Sequence, residues 1–307
     1  MALSTDNVKA IAVRNFFEGM LQADDSVITK VMTYQHEDVA SLRLAALTGI
    51  PDPGTWPSGT DLTVATVDST GANTIQYDAY GVSVELNPMD IRDVPGLINK
   101  AAKKLGRSVT SKRANLAFSS IAAVFTDTIA DTHPVCSGNH TMTSGTRSNK
   151  GSTALDMAAF QVAITAIRGW KNYQTQVMDW ADQPKFLVIP PALEETARQI
   201  LGSPYQLTSP VGTEAEGYTT PSQGLINTSG LYNTRIVINP YASDDSDWIL
   251  VADPSFGNPL NFWDRAPVKF EALVQDQDSL KTKLRVTWAS KAQSGPQPDG
   301  IWGASVS

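Results

Sequence analysis

Apolar residues recur three or four positions apart at Val94, Leu97, Ile98, Ala101, Leu105, Val109, Leu116, Ala117, Ile121, Val124 and Phe125. That period predicts one helix over 93–126, with Asp93 as N-cap and Pro95 in the first turn. A helix of about thirty residues spans roughly 45 Å, more than a compact domain usually needs. A second amphipathic helix is predicted over 4–22, where Ile11, Val13, Phe16, Phe17, Met20 and Leu21 gather towards one side. Residues 26–48 form another apolar-periodic stretch ending at Gly49. From Ile50 to Gly59, Pro51, Pro53 and Pro57 with two glycines forbid regular structure, so this reads as an extended linker.

The period then changes to that of strands. Leu62, Val64 and Val67 precede a turn-rich run, Asp68-Ser69-Thr70-Gly71-Ala72-Asn73, and then Ile75, Tyr77, Ala79, Val82, Val84 and Leu86. This predicts a long hairpin. Residues 131–153 are rich in Gly, Ser, Thr and Asn and read as a surface loop. Thr153 is the expected cap of a helix running to Trp170, and Lys185–Ile189 is a short buried-type strand. Pro190-Pro191 turns that strand into a helix over 192–201, stopped by Gly202. After a loop-rich stretch, 203–230, strands are predicted at 235–238, 248–252, 268–274 and 280–288. The last twenty residues are Gly/Pro-rich apart from Trp302. The class is α+β.

Composition narrows the role. Of 307 residues 41% are hydrophobic, enough for a core, while only 18% are charged. Neutral polar residues replace the charges, a surface suited to burial against copies of itself. The net charge of −7 and the absence of a basic stripe argue against sequence-specific or tight nucleic-acid binding. Cys136 is the single cysteine, so no intrachain disulfide forms. Residues 1–20 lack the pattern of a signal peptide, and no apolar stretch approaches the roughly 18 residues of a membrane span.

The charges are segregated. Between Arg43 and Arg92 there is no Lys or Arg, yet this region carries Asp61, Asp68, Asp78, Glu85 and Asp90. The helix that follows carries Lys100, Lys103, Lys104, Arg107, Lys112 and Arg113. An acidic hairpin cannot easily fold back onto the helix that follows it. Pairing with the basic helix of a neighbouring copy is therefore the sharper reading, set against two ordinary solvated faces.

Pro184-Lys185-Phe186-Leu187-Val188-Ile189-Pro190-Pro191-Ala192-Leu193-Glu194-Glu195-Thr196-Ala197 is physically a strand and a proline-started helix whose early carboxylates face the positive helix end. It also resembles the strand–helix segment of the Mu-like major head subunits of tailed bacteriophages. Tyr80–Leu86 leading into Asp90–Pro95, Leu105-Gly106-Arg107, and Asp247–Pro254 resemble other parts of that family, in the same order, over residues 75–290. The resemblance implies a Johnson-type capsid fold. It assigns 1–58 to an N-terminal arm, 59–92 to an extended loop, and 93–150 to a peripheral domain with a spine helix. It assigns 151–240 to an axial domain and 241–307 to C-terminal strands returning to the peripheral domain. It implies a virion shell of hexamers and pentamers, assembled in the host bacterial cytoplasm with a portal and a decoration protein. Because the arm begins within a few residues of Met1, a separate scaffolding protein is expected. Some relatives weld their shells through a lysine in the extended loop. No lysine lies between residues 44 and 91, so cohesion is expected to be noncovalent.

No catalytic or phosphate-binding motif is present, so neither enzymatic activity nor a cofactor is expected. His133, Cys136 and His140 have a spacing that could supply three zinc ligands, but no fourth ligand stands out and a polar loop is the simpler reading. Asp244, Asp245 and Asp247 lack the glycine and glutamate of a calcium loop. An encapsulin-like compartment, a tail tube and an enzyme without a recognisable motif are the competing readings.

Overall fold

The computed structural model describes residues 5–47, 69–141, 145–171, 184–202, 233–256, 259–275 and 281–306. The chain divides into two compact units. Unit 1 comprises Met1–Leu44, Thr74–Ile121 and Leu260–Gln293; unit 2 comprises Ala45–Asn73, Ala122–Pro259 and Ser294–Ser307.

Unit 1 is a sheet covered on one face by helices. Its strands are β1 (Thr33–His36), β4 (Asp78–Leu86), β11 (Leu260–Gln275) and β12 (Thr282–Ser294), in the order β1-β11-β12-β4. β1 runs parallel to β11, and β12 pairs antiparallel with β4 from Thr282↔Leu86 to Ser290↔Asp78. Leu284, Val286 and Trp288 alternate with polar residues along β12, so one sheet face is apolar. That face packs on Ala102, Leu105 and Val109 of α4 (Leu97–Ala122), and on Ala12 and Phe16 of α1 (Thr5–Leu21). Phe16 stacks on Phe270 with ring centroids 4.4 Å apart. The helices α1 and α4 cross backbone to backbone. A Cβ at Gly106 would stand 2.1 Å from the Phe16 carbonyl oxygen, and one at Gly19 2.2 Å from that of Lys103. Only glycine permits that approach.

The long helix is shorter than its periodicity predicts. Pro95 disfavours a helical conformation for the residue before it, and Val94 is extended at φ −114°, ψ 100°. Gly96 then turns the chain at φ +75°. Residues Pro88–Asp93 are consequently a separate helix, α3, capped by Asn87, which accepts from the Met89 amide at 3.1 Å. The 26 residues of α4 rise roughly 39 Å. The stretch 26–48 is likewise three elements: α2 (Val27–Lys30), β1 and β2 (Ser41–Leu47). Residues 69–73, read as a turn, belong to β3 (Ser69–Gln76), whose partner is β2 rather than β4. Backbone pairing overrides the local turn preference, and a Cβ at Gly71 would meet the Ala130 carbonyl oxygen at 2.5 Å. The first arm of the expected hairpin, 62–67, lies outside the described residues.

Unit 2 holds a mixed sheet ordered β7-β13-β10-β8-β9. Its strands are β7 (Lys150–Gly151), β8 (Pro184–Ile189), β9 (Arg235–Ile238), β10 (Trp248–Ala252) and β13 (Ile301–Ala304). Every residue of β10 is buried, as a central strand covered on both faces requires. α5 (Met157–Arg168) starts at Asp156, whose carboxylate accepts from the Ala159 amide at 2.6 Å, not at Thr153. α6 (Glu194–Gly202) follows a 3₁₀ turn over Pro191–Leu193, with Glu194 and Glu195 in its first turn. Phe160, Ile164, Ile167, Leu187, Ile189, Trp248 and Trp302 form the core.

Candidate assembly surface

Lys100, Lys104 and Arg107 stand at i, i+4 and i+7 on α4 and are exposed; Lys103, beside them, is half-buried. They rim a groove of about 680 Å³ whose floor is Val82 and Val84 of β4 with Leu97, Ala101 and Leu105 of α4. The rim is poorly neutralised. Lys103 reaches Glu18 Oε2 at 3.5 Å, and Arg107 Nε donates to the neutral Gln22 Oε1 at 2.8 Å. Hydrogen bonds from Arg14 and Lys103 hold the exposed Glu18 carboxyl below the usual glutamate range. Lys112 lies over the Tyr80 ring, 5.7 Å from its centroid.

Arg113 does not belong to that face. It is buried, and its guanidinium forks onto Asp264 with Nη1–Oδ1 and Nη2–Oδ2 both 2.9 Å. Tyr34 donates to Asp264 Oδ2 at 2.9 Å, Asp25 stands 3.5 Å from Arg113 Nε, and the guanidinium covers the Phe262 ring. Burial first, then the Asp264 carboxylate, push the Tyr34 hydroxyl up. The network ties α4 to β11 and β1 inside unit 1.

The acidic set divides similarly. Asp61 and Asp68 lie outside the described residues. Asp78 pairs with Lys291 at 2.9 Å, and Glu85 with Lys281 and Lys283 at 3.2 Å each, all within unit 1. Hydrogen bonds from Lys281 and Lys283 hold the Glu85 carboxyl below its ordinary value. Asp90, in the first turn of α3, is exposed. The partners Asp264, Lys281, Lys283 and Lys291 are more than a hundred residues from the groups they hold, so no local spacing reveals them.

His133, Cys136 and His140 do not form a metal cage; among the described residues no three His, Cys, Asp or Glu side chains are placed to hold a metal ion. His140 Nδ1 faces Asp131 Oδ2 at 2.6 Å, and its Nε2 faces the Val135 carbonyl and Asn149 Oδ1 at 3.1 Å each. The Ser137 amide donates to Asn149 Oδ1, which fixes that amide's orientation; its Nδ2 donates to the carbonyls of Val135 and Ile301. Burial pushes the Cys136 thiol up, leaving it inert. Within the stretch read as a surface loop, the buried His140 and Asn149 thus form a polar clasp that holds Val135 and Ser137 to β13. Asp244 and Asp247 accept from backbone amides of Ser246 and Val306, as turn and tail ties. No helix among the described residues is long and apolar enough to cross a membrane.

Solved structures share this architecture across most of the chain. The capsid of Ralstonia phage GP4 aligns with a TM-score of 0.58 at 10% identity, covering 91% of this chain and 87% of that one. The capsid of the cyanophage P-SCSP1u aligns at 0.55 with 14% identity, covering 90% and 87%. A virus-like particle from Pyrococcus furiosus aligns at 0.55 with 10% identity, covering 98% of each. Identities this low establish the fold alone, the Johnson-type α+β fold of shell-forming subunits. No curated protein matches by sequence. The sequence profile of the phage capsid proteins, however, matches residues 68–302. The chain belongs to the phage capsid protein family. It is a structural protein of the bacteriophage virion shell, and it assembles with copies of itself.

Proposed function

We propose that this chain forms the bulk of an icosahedral head in hexamers and pentamers, with no catalytic role, held by noncovalent contacts among its copies. Unit 1 corresponds on this reading to a peripheral domain with α4 as its spine, and unit 2 to an axial domain. Assembly takes place in the host cytoplasm around a scaffolding protein and a portal, and the finished shell is open to a decoration protein. The acidic, lysine-free stretch of one subunit docks on the basic face of α4 in the next. The observation that carries this is the under-neutralised rim, Lys100, Lys103, Lys104 and Arg107, standing over an apolar floor. Asp78 and Glu85 already hold lysines of their own chain, which supports Asp61, Asp68 and Asp90 as the acidic side of the contact. Exposed ion pairs contribute about 0–1 kcal/mol each, so the apolar residues between the carboxylates supply most of the affinity.

Charge reversal tests the docking. The double variant Lys103→Glu, Lys104→Glu folds normally by circular dichroism but fails to form closed shells in electron micrographs at concentrations where the parent protein forms them. Shells forming equally well would remove the α4 face from the interface.

A further inference from the structure

His140 is 1% exposed, and an oxygen faces each of its ring nitrogens. At Nδ1 it is Asp131 Oδ2, 2.6 Å away. The other oxygen of that carboxyl accepts from the His133 amide at 3.0 Å, a bond that a carboxylate accepts more strongly than a carboxylic acid. At Nε2 they are the Val135 carbonyl and Asn149 Oδ1. Neither can donate. The Ser137 amide fixes Asn149 Oδ1 as an acceptor, and Asn149 Nδ2 is committed to the carbonyls of Val135 and Ile301. A neutral imidazole has one N–H and one lone pair. With its proton on Nε2, the bare Nδ1 would face a carboxylate. With it on Nδ1, the bare Nε2 would face two oxygens. Only the imidazolium, with a donor at each nitrogen, satisfies all three acceptors.

From this geometry we infer that His140 is a proton-dependent latch: charged, it locks Val135, Ser137 and Asn149 of unit 2 against β13, and losing its proton loosens them. Asn149 carries the state of the ring to β13. Its Nδ2 reaches the Ile301 carbonyl, its own carbonyl accepts from the Gly303 amide at 3.1 Å, and its amide donates to the Ser137 carbonyl at 3.0 Å. Asp131 is the charged group against the ring, and the His133 ring stands edge-on with centroids 6.2 Å apart. The other titratable groups of this region are engaged elsewhere. Arg147, opposite His140 in the pairing of His140–Thr141 with Thr146–Arg147, holds Asp299 at 2.8 Å and the Lys171 carbonyl at 3.0 Å. Lys150 lies over the Phe125 ring, and burial keeps the Cys136 thiol neutral. The bonds of the imidazolium contribute while its proton is held and are lost as pH rises through its release, which leaves a buried lone pair against two oxygens. The latch belongs to unit 2 and is independent of the docking face on α4.

Two measurements on the full chain test the latch. The chain has three histidines, so nitrogen-15 magnetic resonance can resolve each ring. Both ring nitrogens of His140 carry a proton at about pH 7, and a bare nitrogen there overturns the inference. Amide hydrogen exchange read by mass spectrometry follows the consequence, with parent and His140→Gln compared at matched pH so that intrinsic amide chemistry cancels. At about pH 6 the amides of Asn149 and Gly303 exchange at least about tenfold more slowly in the parent, and at about pH 9 the two proteins exchange alike. An advantage of equal size at both pH values means that the neutral ring suffices, and the latch is wrong. Asp131→Asn gives a check that does not depend on how His140→Gln folds. Its carboxamide donates to a bare Nδ1, so a neutral ring keeps its Nε2–H on Val135 and Asn149. Protection of Asn149 and Gly303 therefore persists to about pH 9 in this variant. Protection that decays with pH as in the parent would mean that Asp131 does not fix the second proton, and the inference fails.

Discussion

Arg113 shows how far a residue's role can depart from its neighbours' in sequence. It reads as one more member of a basic helix face, yet the fold spends it on Asp264, 151 positions away. Periodicity marks which way a side chain points and not what awaits it there, so this pair was illegible. Truncating it as Arg113→Met strands a carboxylate that is 5% exposed, at a cost of about 3–5 kcal/mol by denaturant unfolding. Removing both charges, as Arg113→Met with Asp264→Asn, costs less than Arg113→Met alone; a larger loss would show that the pair is not the determinant. A second residue-scale test uses pH. Hydrogen bonds from Ser255, aided by Lys185, lower the Asp253 carboxyl to about 2 from 3.8. A depressed carboxyl stabilises the fold above its unfolded value and loses that contribution as pH falls through the folded one. The stability difference between the parent and Asp253→Asn is therefore full above about pH 4 and vanishes towards pH 2. A difference constant across that window contradicts the assignment. The His140 clasp was equally hidden, because His133, Cys136 and His140 share a spacing that resembles ligands only on paper.

Elements were read best where local chemistry and tertiary packing agree. β8, β9 and β10 fall where their apolar runs and punctuating residues place them, and α6 follows Pro190-Pro191 after a 3₁₀ turn. The errors have particular causes. Pro95 ends one helix through its effect on Val94 and so splits the periodic stretch into α3 and α4. Gly71-Ala72-Asn73 has turn chemistry, but β2 recruits it into a ladder. β13 hides in a Gly/Pro-rich tail because Gly303 serves close packing, not a turn: a Cβ there would stand 2.8 Å from the Phe125 ring and 2.9 Å from Cys136 Sγ. α1, which the resemblance assigns to an N-terminal arm, packs Ala12 and Phe16 into the core of unit 1, an anchoring that its apolar spacing alone does not specify. The α1–α4 crossing gives an element-scale prediction. Gly106→Ala forces the two backbones apart and lowers stability by about 1–3 kcal/mol. Limited proteolysis reads it directly, because α1 becomes cleavable within residues 5–21 while unit 2 stays intact. Unchanged resistance would mean the crossing yields freely.

At the scale of the molecule, the sequence displayed the segregation of charge, and the structure adds the groove that gives the positive side a shape. The acidic excess of the chain resides in unit 2, whereas unit 1 is slightly basic, so copies carry complementary charge by which to recognise one another. Many modest contacts repeated around each subunit suffice for a closed shell. Such contacts weaken with ionic strength: raising salt from about 0.05 M to 0.5 M slows assembly, and the Lys103→Glu, Lys104→Glu variant loses most of that salt dependence, as read by light scattering. An equal salt effect in both proteins would place the steering charges elsewhere. The most direct test of the central claim is a cryo-electron microscopy reconstruction of particles formed by the purified protein. It is predicted to show closed shells in which the Lys100–Arg107 rim of each subunit lies against a neighbouring copy. Dispersed monomers, or shells in which the Lys100–Arg107 rim faces open solvent, would contradict it.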